Sequence, residues 1–365
     1  MRMSIAAIGL VLGIGIVGRA ADKPPSVVSH TESEVTQQRI ESTTLAAMDA
    51  LVVNLESTRD SHHLAYVTMR DGKFSVVVDG RARRGYDDIG KGSVTFSPDG
   101  KRIAYAARTS DKWFVVLDGH EGRSFDMVTK PTFSADGKSI AYSAKTDNKW
   151  VVVTDSHQSA KYDGILDGTP VFGPSANRLA YAAMKEGEWV VVVADRAGGS
   201  YDGILAGTPI FSSRGDRFAY GAFKRDKWFA VVDGKVGTQY DKVGDFLFSP
   251  DGKRLAFGAK KDRRWIVVVE GKESMAYDDI GGLTFSPQGD RLAYRARRGS
   301  KTIVVADGEE GKEYDGVSEG TPVFSGDGSH VAYGAKLGMK WVVVVDGSES
   351  SAYDGISEEM PIFCP

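Results

Sequence analysis

The stretch FSPDGKRIAY, from Phe96 to Tyr105, decides the reading of this chain, because it returns almost unchanged as FSPDGKRLAF, from Phe248 to Phe257. Working outward, an Ala-aromatic pair recurs with its ring at Tyr66, Tyr105, Tyr142, Tyr181, Tyr220, Phe257, Tyr294 and Tyr333. Nine residues before the last seven of these stands a phenylalanine, from Phe96 to Phe324, and an eighth copy closes the series at Phe363. Eight residues after each pair comes a large aromatic, such as Trp113 or Trp341, except where Thr302 stands. Twenty residues after each pair comes an aromatic followed by Asp, from Tyr86-Asp87 to Tyr353-Asp354. Only the step from that aromatic to the next phenylalanine varies, taking 8 or 10 residues, so the period is 37 or 39. A fixed period of this length marks a repeat architecture.

Each unit carries four short β-like runs. The TPVF type (Thr169 to Phe172) leads through an SPDG turn to RIAYAA (Arg102 to Ala107). A WVVVVD run follows (Trp341 to Asp346), then a Gly-containing turn and a run ending in YDGI. Asp-Gly favours tight hairpins, and the Val-rich run is apolar on both faces, as a strand covered on both sides must be. Helical repeats would need 3.6-residue periodicity, and a β-solenoid would not place hairpins between all strands. The expected fold is therefore all-β: an eight-bladed β-propeller of four-stranded antiparallel blades. The first blade opens on its second strand, Leu64 to Met69, and the chain ends on an orphan first strand, Met360 to Phe363. Closure by that C-terminal strand is expected. The rival segment, Leu51 to Leu55, is set aside because Leu55 falls 11 residues before Tyr66 instead of 9.

The repeats from residue 64 to 365 resemble the WD-repeat-like propeller units of TolB-type proteins, on the strength of the FSPDGKRIAY motif and its copies at Phe133, Phe172, Phe211, Phe285 and Phe324. The resemblance implies the blade type and not a role. TolB-type proteins look like six blades behind a large N-terminal α/β domain, whereas eight repeats stand here with only about 40 residues between the signal and the first of them.

The N-terminus reads as a secretory signal over 1–20. Arg2 leads an apolar stretch of 15 residues, Ser4 to Gly18, shorter than the ~20 a membrane helix needs, with small residues before a cut after Ala20. Residues 21–57 read as a linker. Val35, Ile40, Leu45 and Met48 hint at a short helix in it, and the propeller is placed at 58–365. A periplasmic or secreted monomer is expected. The single cysteine, Cys364, leaves no internal disulfide. The near balance of 46 basic and 49 acidic residues argues against a nucleic-acid partner.

Candidate sites are few. The loops before the Trp position are basic, and Lys112, Lys149, Lys227, Arg264, Lys301 and Lys340 form a candidate binding face for an anionic surface or glycan. The repeated Asp reads as a turn-forming side chain bonding backbone N–H groups, not a cation ligand. The recurrent Trp reads as packing between blades. No catalytic motif, metal spacing or cofactor fingerprint stands out among the six histidines or elsewhere. The function expected is a non-catalytic extracytoplasmic binding or scaffold protein with a protein, glycan or envelope partner. The alternative is a propeller hydrolase or lyase acting at the axial channel.

Overall fold

The computed structural model describes residues 51–57, 62–155, 157–175, 178–356 and 363. These form eight antiparallel sheets in chain order, with no helix among the described residues. The expected signal sequence and the expected short linker helix fall outside the described residues. Sheet 1 runs Leu51–Ser57, Leu64–Arg70, Lys73–Val78, Arg81–Tyr86, each strand pairing with the next. Later sheets repeat this meander. In sheet 2 the first-strand place is shared by two short pieces, Asp88–Ile89 and Thr95–Phe96, both paired with Ile103–Thr109. In sheets 6 and 7 that place is one continuous strand, Lys242–Phe248 and Asp279–Phe285.

The hairpins follow from Asp-Gly chemistry. Asp79 and Gly80 have φ of 49° and 75°, the paired positive values of the turn whose twist matches two β-strands. Asp307-Gly308 repeats it at 53° and 89°.

Consecutive sheets stack face to face through seven buried clusters, the arrangement of propeller blades. The Ala-aromatic pair explains the stacking. Neighbouring residues on a strand point to opposite faces. Tyr105 therefore packs back onto sheet 1, and Ala104 faces forward to sheet 3. Every interface then sets alanine or valine against an aromatic. The ring from the preceding sheet meets the new one edge-on, as in Tyr86–Tyr105 at 6.2 Å and Tyr314–Tyr333 at 6.0 Å between centroids.

The first-strand place of sheet 1 is held by Leu51–Ser57, which the sequence reading put in the linker. Ser57 lies opposite Leu64 as Phe96 lies opposite Ile103, so Ser57 occupies the phenylalanine position at the normal spacing of 9. The spacing from Leu55 does not reveal this, because the repeated phenylalanine is replaced by serine and the strand is irregular between Val52 and Asn54. The strand expected to fill this place, Met360 to Phe363, lies outside the described residues apart from Phe363. That ring stacks on His330 at 6.4 Å, the relation His63 has to Phe96 of the following sheet. Among the described residues no buried cluster joins sheet 8 to sheet 1. Tyr353 is 47% exposed, whereas its counterparts Tyr86, Phe125, Tyr201, Tyr240, Tyr277 and Tyr314 are at most 5% exposed and Tyr162 is half-buried.

Removing residues 1–57 should lower the melting temperature sharply relative to removing 1–50, because only the longer deletion strips a paired strand. Equal melting of the two truncations would refute the assignment of the first strand.

Candidate binding cleft and the latched rims

The six basic residues singled out in the sequence do not converge on one site. Each sits on a different sheet, beside the repeated Asp of that sheet. The cause is local. Trp113 pairs with Phe125 in an isolated bridge, so Lys112, just before the Trp, and Asp126, just after the Phe, meet at the sheet end. Lys112 reaches Asp126 at 2.6 Å, Lys227 reaches Asp241 at 2.6 Å, Lys301 reaches Asp315 at 2.7 Å and Lys340 reaches Asp354 at 2.5 Å. Lys149 pairs with Asp163, and Arg264 stands 3.8 Å from Asp278.

The second carboxylate oxygen reaches forward to the next sheet. Asp163 accepts the Glu186 N–H at 2.7 Å, Asp202 that of Arg225 at 2.8 Å, and Asp315 that of Gly338 at 2.6 Å. Each accepted N–H lies at a hairpin tip with positive φ. The Asp bonds backbone N–H, as the sequence suggested, but those of the neighbouring sheet. It is a latch between sheets as well as a counter-ion. The lysine hydrogen bond holds the carboxyls of Asp126, Asp163, Asp241 and Asp315 below the usual carboxylate range, and the same bond raises Lys112 and Lys227. The charges of this rim are thus balanced locally.

A second latch runs along the opposite rim. Arg102 donates from Nε to Asp118 at 2.9 Å and from Nη1 to the Lys138 carbonyl of sheet 3 at 2.6 Å, with its guanidinium 5.7 Å from the Phe133 centroid. Arg291 repeats this with Asp307, Ser329 and Phe324. In sheets 1 and 8 the position is histidine: His63 pairs with Asp79 and His330 with Asp346. The Asp346 hydrogen bond raises His330 above its ordinary value. The SPDG turn itself is tied by Ser249, which donates to Asp251 at 2.6 Å. That bond holds Asp251 down to about 2, and the matching bond from Ser325 holds Asp327 down to about 2.

Between sheets 2 and 3 the repeated tyrosine is replaced by Phe125. Between sheets 5 and 6, 6 and 7, and 7 and 8 the tyrosine hydroxyl donates to a glutamate of the next sheet: Tyr240 to Glu273 at 3.2 Å, Tyr277 to Glu310 at 2.8 Å, Tyr314 to Glu349 at 2.9 Å. Between sheets 2 and 3 the tyrosine is Phe125 and the glutamate position is Gln158, so this bond is absent; between sheets 3 and 4 and sheets 4 and 5 the tyrosine remains, but Ala197 and Val236 stand at the glutamate position. The regular part of the fourth strand of sheet 2 is short, His120–Glu121, as it is in sheets 6 and 8 at Lys272–Glu273 and Ser348–Glu349. A cleft of about 500 Å³ opens between sheets 2 and 3. Val115, Leu117, Ile140, Tyr142 and Val153 form an apolar floor, under a polar rim that includes His120, Arg123, Asp155, His157 and Gln158. Burial pushes the Tyr142 hydroxyl up to about 12. A second hollow, also about 500 Å³, lies between sheets 4 and 5 and includes Lys227 and Gln239. Among the described residues no three His, Cys, Asp or Glu side chains are grouped to hold a metal. The sequence reading passed over His120 and His157 for want of metal spacing. The signal that could have found the cleft was Phe125 in a slot otherwise filled by tyrosine.

No family model matches the chain, and no curated protein matches it. Solved structures similar to it include β-propeller proteins. A eukaryotic initiation factor shares 12% identity over 86% of this chain and 91% of that chain, at a TM-score of 0.44. The Cps50 (Swd1) β-propeller domain of Myceliophteria thermophila shares 13% identity over 68% and 96% of the two chains, at 0.30. The β-propeller domain of the Trilobed protease of Pyrococcus furiosus, described as having an open velcro topology, shares 14% identity over 82% and 97%, at 0.34. The fold assignment rests on the sheets and their packing, not on these likenesses.

The turn aspartates give a signed pH prediction. Asp251 falls from an ordinary 3.8 to about 2 on folding, so its contribution is present above about pH 4 and is lost as pH falls towards 2. Asp251→Asn should melt below the parent at pH 7, and the gap should close between pH 4 and 2 in a series of thermal melts. A gap constant across that range would refute the assigned role.

Proposed function

We propose that this chain is a non-catalytic binding or scaffold protein acting outside the cytoplasm, built as a closed eight-bladed ring, and that it takes a glycan or peptide segment in the cleft between sheets 2 and 3. The observation that supports this reading is the cleft's anatomy: an apolar floor under a rim of hydrogen-bonding side chains, located where phenylalanine replaces the repeated tyrosine. Latches along both rims hold neighbouring sheets in fixed relation. A site between them is preorganised, which lowers the ordering cost of binding. The signal-like N-terminus supports an extracytoplasmic setting, and the SPDG repeat supports kinship with TolB-type blades. Ring closure would bring the exposed Tyr353 against the half-buried Tyr66, repeating the contact made at the other interfaces.

Two experiments test this. The mature chain, immobilised, should capture glycan or peptide from envelope extract. The pair Phe125→Tyr with Gln158→Glu, which restores the tyrosine–glutamate bond of the last three interfaces and puts a negative charge on the cleft rim, should weaken that capture. Lys227→Glu should keep it. Equal capture by all three would remove the cleft from the reading. For closure, Tyr314→Ala should cost about 3–5 kcal/mol in urea unfolding, as loss of a buried aromatic does. Tyr353→Ala should cost a similar amount if the ring is closed, and a negligible change at Tyr353 would show open ends.

A further inference from the structure

Three substitutions around the junction of sheets 2 and 3 each remove a partner that other sheets supply, and each leaves one polar group of the cleft unspent. The first concerns a carboxylate. Three residues before the repeated aromatic, an arginine binds the aspartate of the hairpin after the third strand: Arg102 to Asp118 at 2.9 Å, Arg217 to Asp233 at 3.0 Å, Arg291 to Asp307 at 2.8 Å. In sheets 1 and 8 a histidine does the same. In sheet 3 the position is Ser139. Its aspartate, Asp155, accepts the Ile140 N–H at 3.1 Å and makes no ion pair among the described residues.

The second concerns a cation. Two residues before the aromatic-Asp pair, Arg84 of sheet 1 reaches Glu121 of sheet 2 at 2.7 Å, and Lys312 of sheet 7 reaches Glu349 of sheet 8 at 2.8 Å. Arg123 holds this position in sheet 2, but the matching glutamate of sheet 3 is Gln158. Arg123 therefore has no ion-pair partner among the described residues. The third concerns a hydroxyl. Between sheets 3 and 4 the hydroxyls of Tyr162 and Tyr181 meet at 3.4 Å. Between sheets 2 and 3 Phe125 takes the place of Tyr162, and the Tyr142 hydroxyl has no hydrogen-bond partner among the described residues.

Arg123, Tyr142 and Asp155 all line the same cleft of about 500 Å³, a size usual for small-ligand sites. Its other carboxylates and arginine are spent: Arg102 pairs with Asp118, and Glu121 with Arg84. Arg123 and Asp155 are exposed, so a ligand in the cleft reaches both. They do not pair with each other, and they flank one group: burial raises the Tyr142 hydroxyl, Arg123 opposes that rise and Asp155 adds to it. One free cation and one free anion over an apolar floor match a ligand with opposite charges at the two ends of an apolar body. Hydrogen bonds to ionised groups are about twice as strong as neutral ones. A two-residue peptide spans at most about 7 Å, short enough to lie within the cleft with its side chains on the floor.

We infer that the cleft between sheets 2 and 3 takes a short apolar peptide with both ends free, its ammonium on Asp155 and its carboxylate on Arg123. This rests on the reading of that cleft as the binding site, and selects peptide over glycan. Leucyl-leucine, its N-acetyl form, its amide and the uncharged sugar cellotriose are titrated separately into the full chain by calorimetry. The free dipeptide should bind, and either block should weaken it by about tenfold or more, as loss of a charge-assisted hydrogen bond does. Ser139→Arg gives Asp155 the partner its counterparts have in sheets 2, 5 and 7. It should weaken the free dipeptide as much as acetylation does, with no further loss for the acetylated form. Gln158→Glu gives Arg123 its partner and should match amidation in the same way. Neither variant should melt below the parent, which separates lost binding from lost folding. Failure of the parent to bind the free dipeptide, or binding of the blocked forms as tight as that of the free one, would overturn the inference. If cellotriose binds instead, and Phe125→Tyr with Gln158→Glu weakens it, the cleft stands as the site and only the charged-end recognition falls. Ligand binding that this double variant leaves untouched would remove the cleft, and the inference with it.

Discussion

A small side chain set against a large one, at each sheet-to-sheet contact, is the constraint on which the rest of this structure depends. A four-stranded antiparallel sheet has two faces, and the Val-rich third strand makes both of them apolar. No sheet can cover itself. The Ala-aromatic pair solves this by directing alanine forward and tyrosine back, so each interface receives one of each. Because interiors are packed as densely as organic crystals, this alternation fixes the distance and tilt between sheets. The latches at the two rims then only have to lie where that spacing puts them.

Most of this was legible in the sequence because it is periodic. The four strands, their hairpins and the packing role of the aromatic positions follow from spacing and turn chemistry alone. The first strand of sheet 1 was not legible, since Ser57 stands where phenylalanine marks the other copies. The latch role of the repeated Asp was only half legible. Its affinity for backbone N–H groups is a property of the residue, but which sheet supplies them is a matter of tertiary placement.

The candidate sites show the opposite pattern. The basic residues were conspicuous because they repeat, and for the same reason they are structural: each meets its own sheet's carboxylate across the Trp bridge. The cleft sits where the pattern lapses. Phe125 loses a single hydroxyl relative to its counterparts, and Ser139 and Gln158 stand where other sheets supply a cation and a carboxylate. In a chain this regular, chemistry that is not shared by all units has to be sought in deviations of one or two atoms or residues.

The forward reach of the latches gives the assembly a direction. The unit carries both halves of its joint: a carboxylate and, except in sheet 3 where Ser139 stands in its place, a guanidinium or imidazole on its leading side, and a hairpin N–H and a turn carbonyl on its trailing side. A joint of this kind fits any neighbour made from the same unit. Tandem duplication of the gene segment would therefore yield a chain whose new junctions are already complementary, with no compensating substitutions needed, and lengthening by whole units is the cheapest evolutionary step open to this architecture.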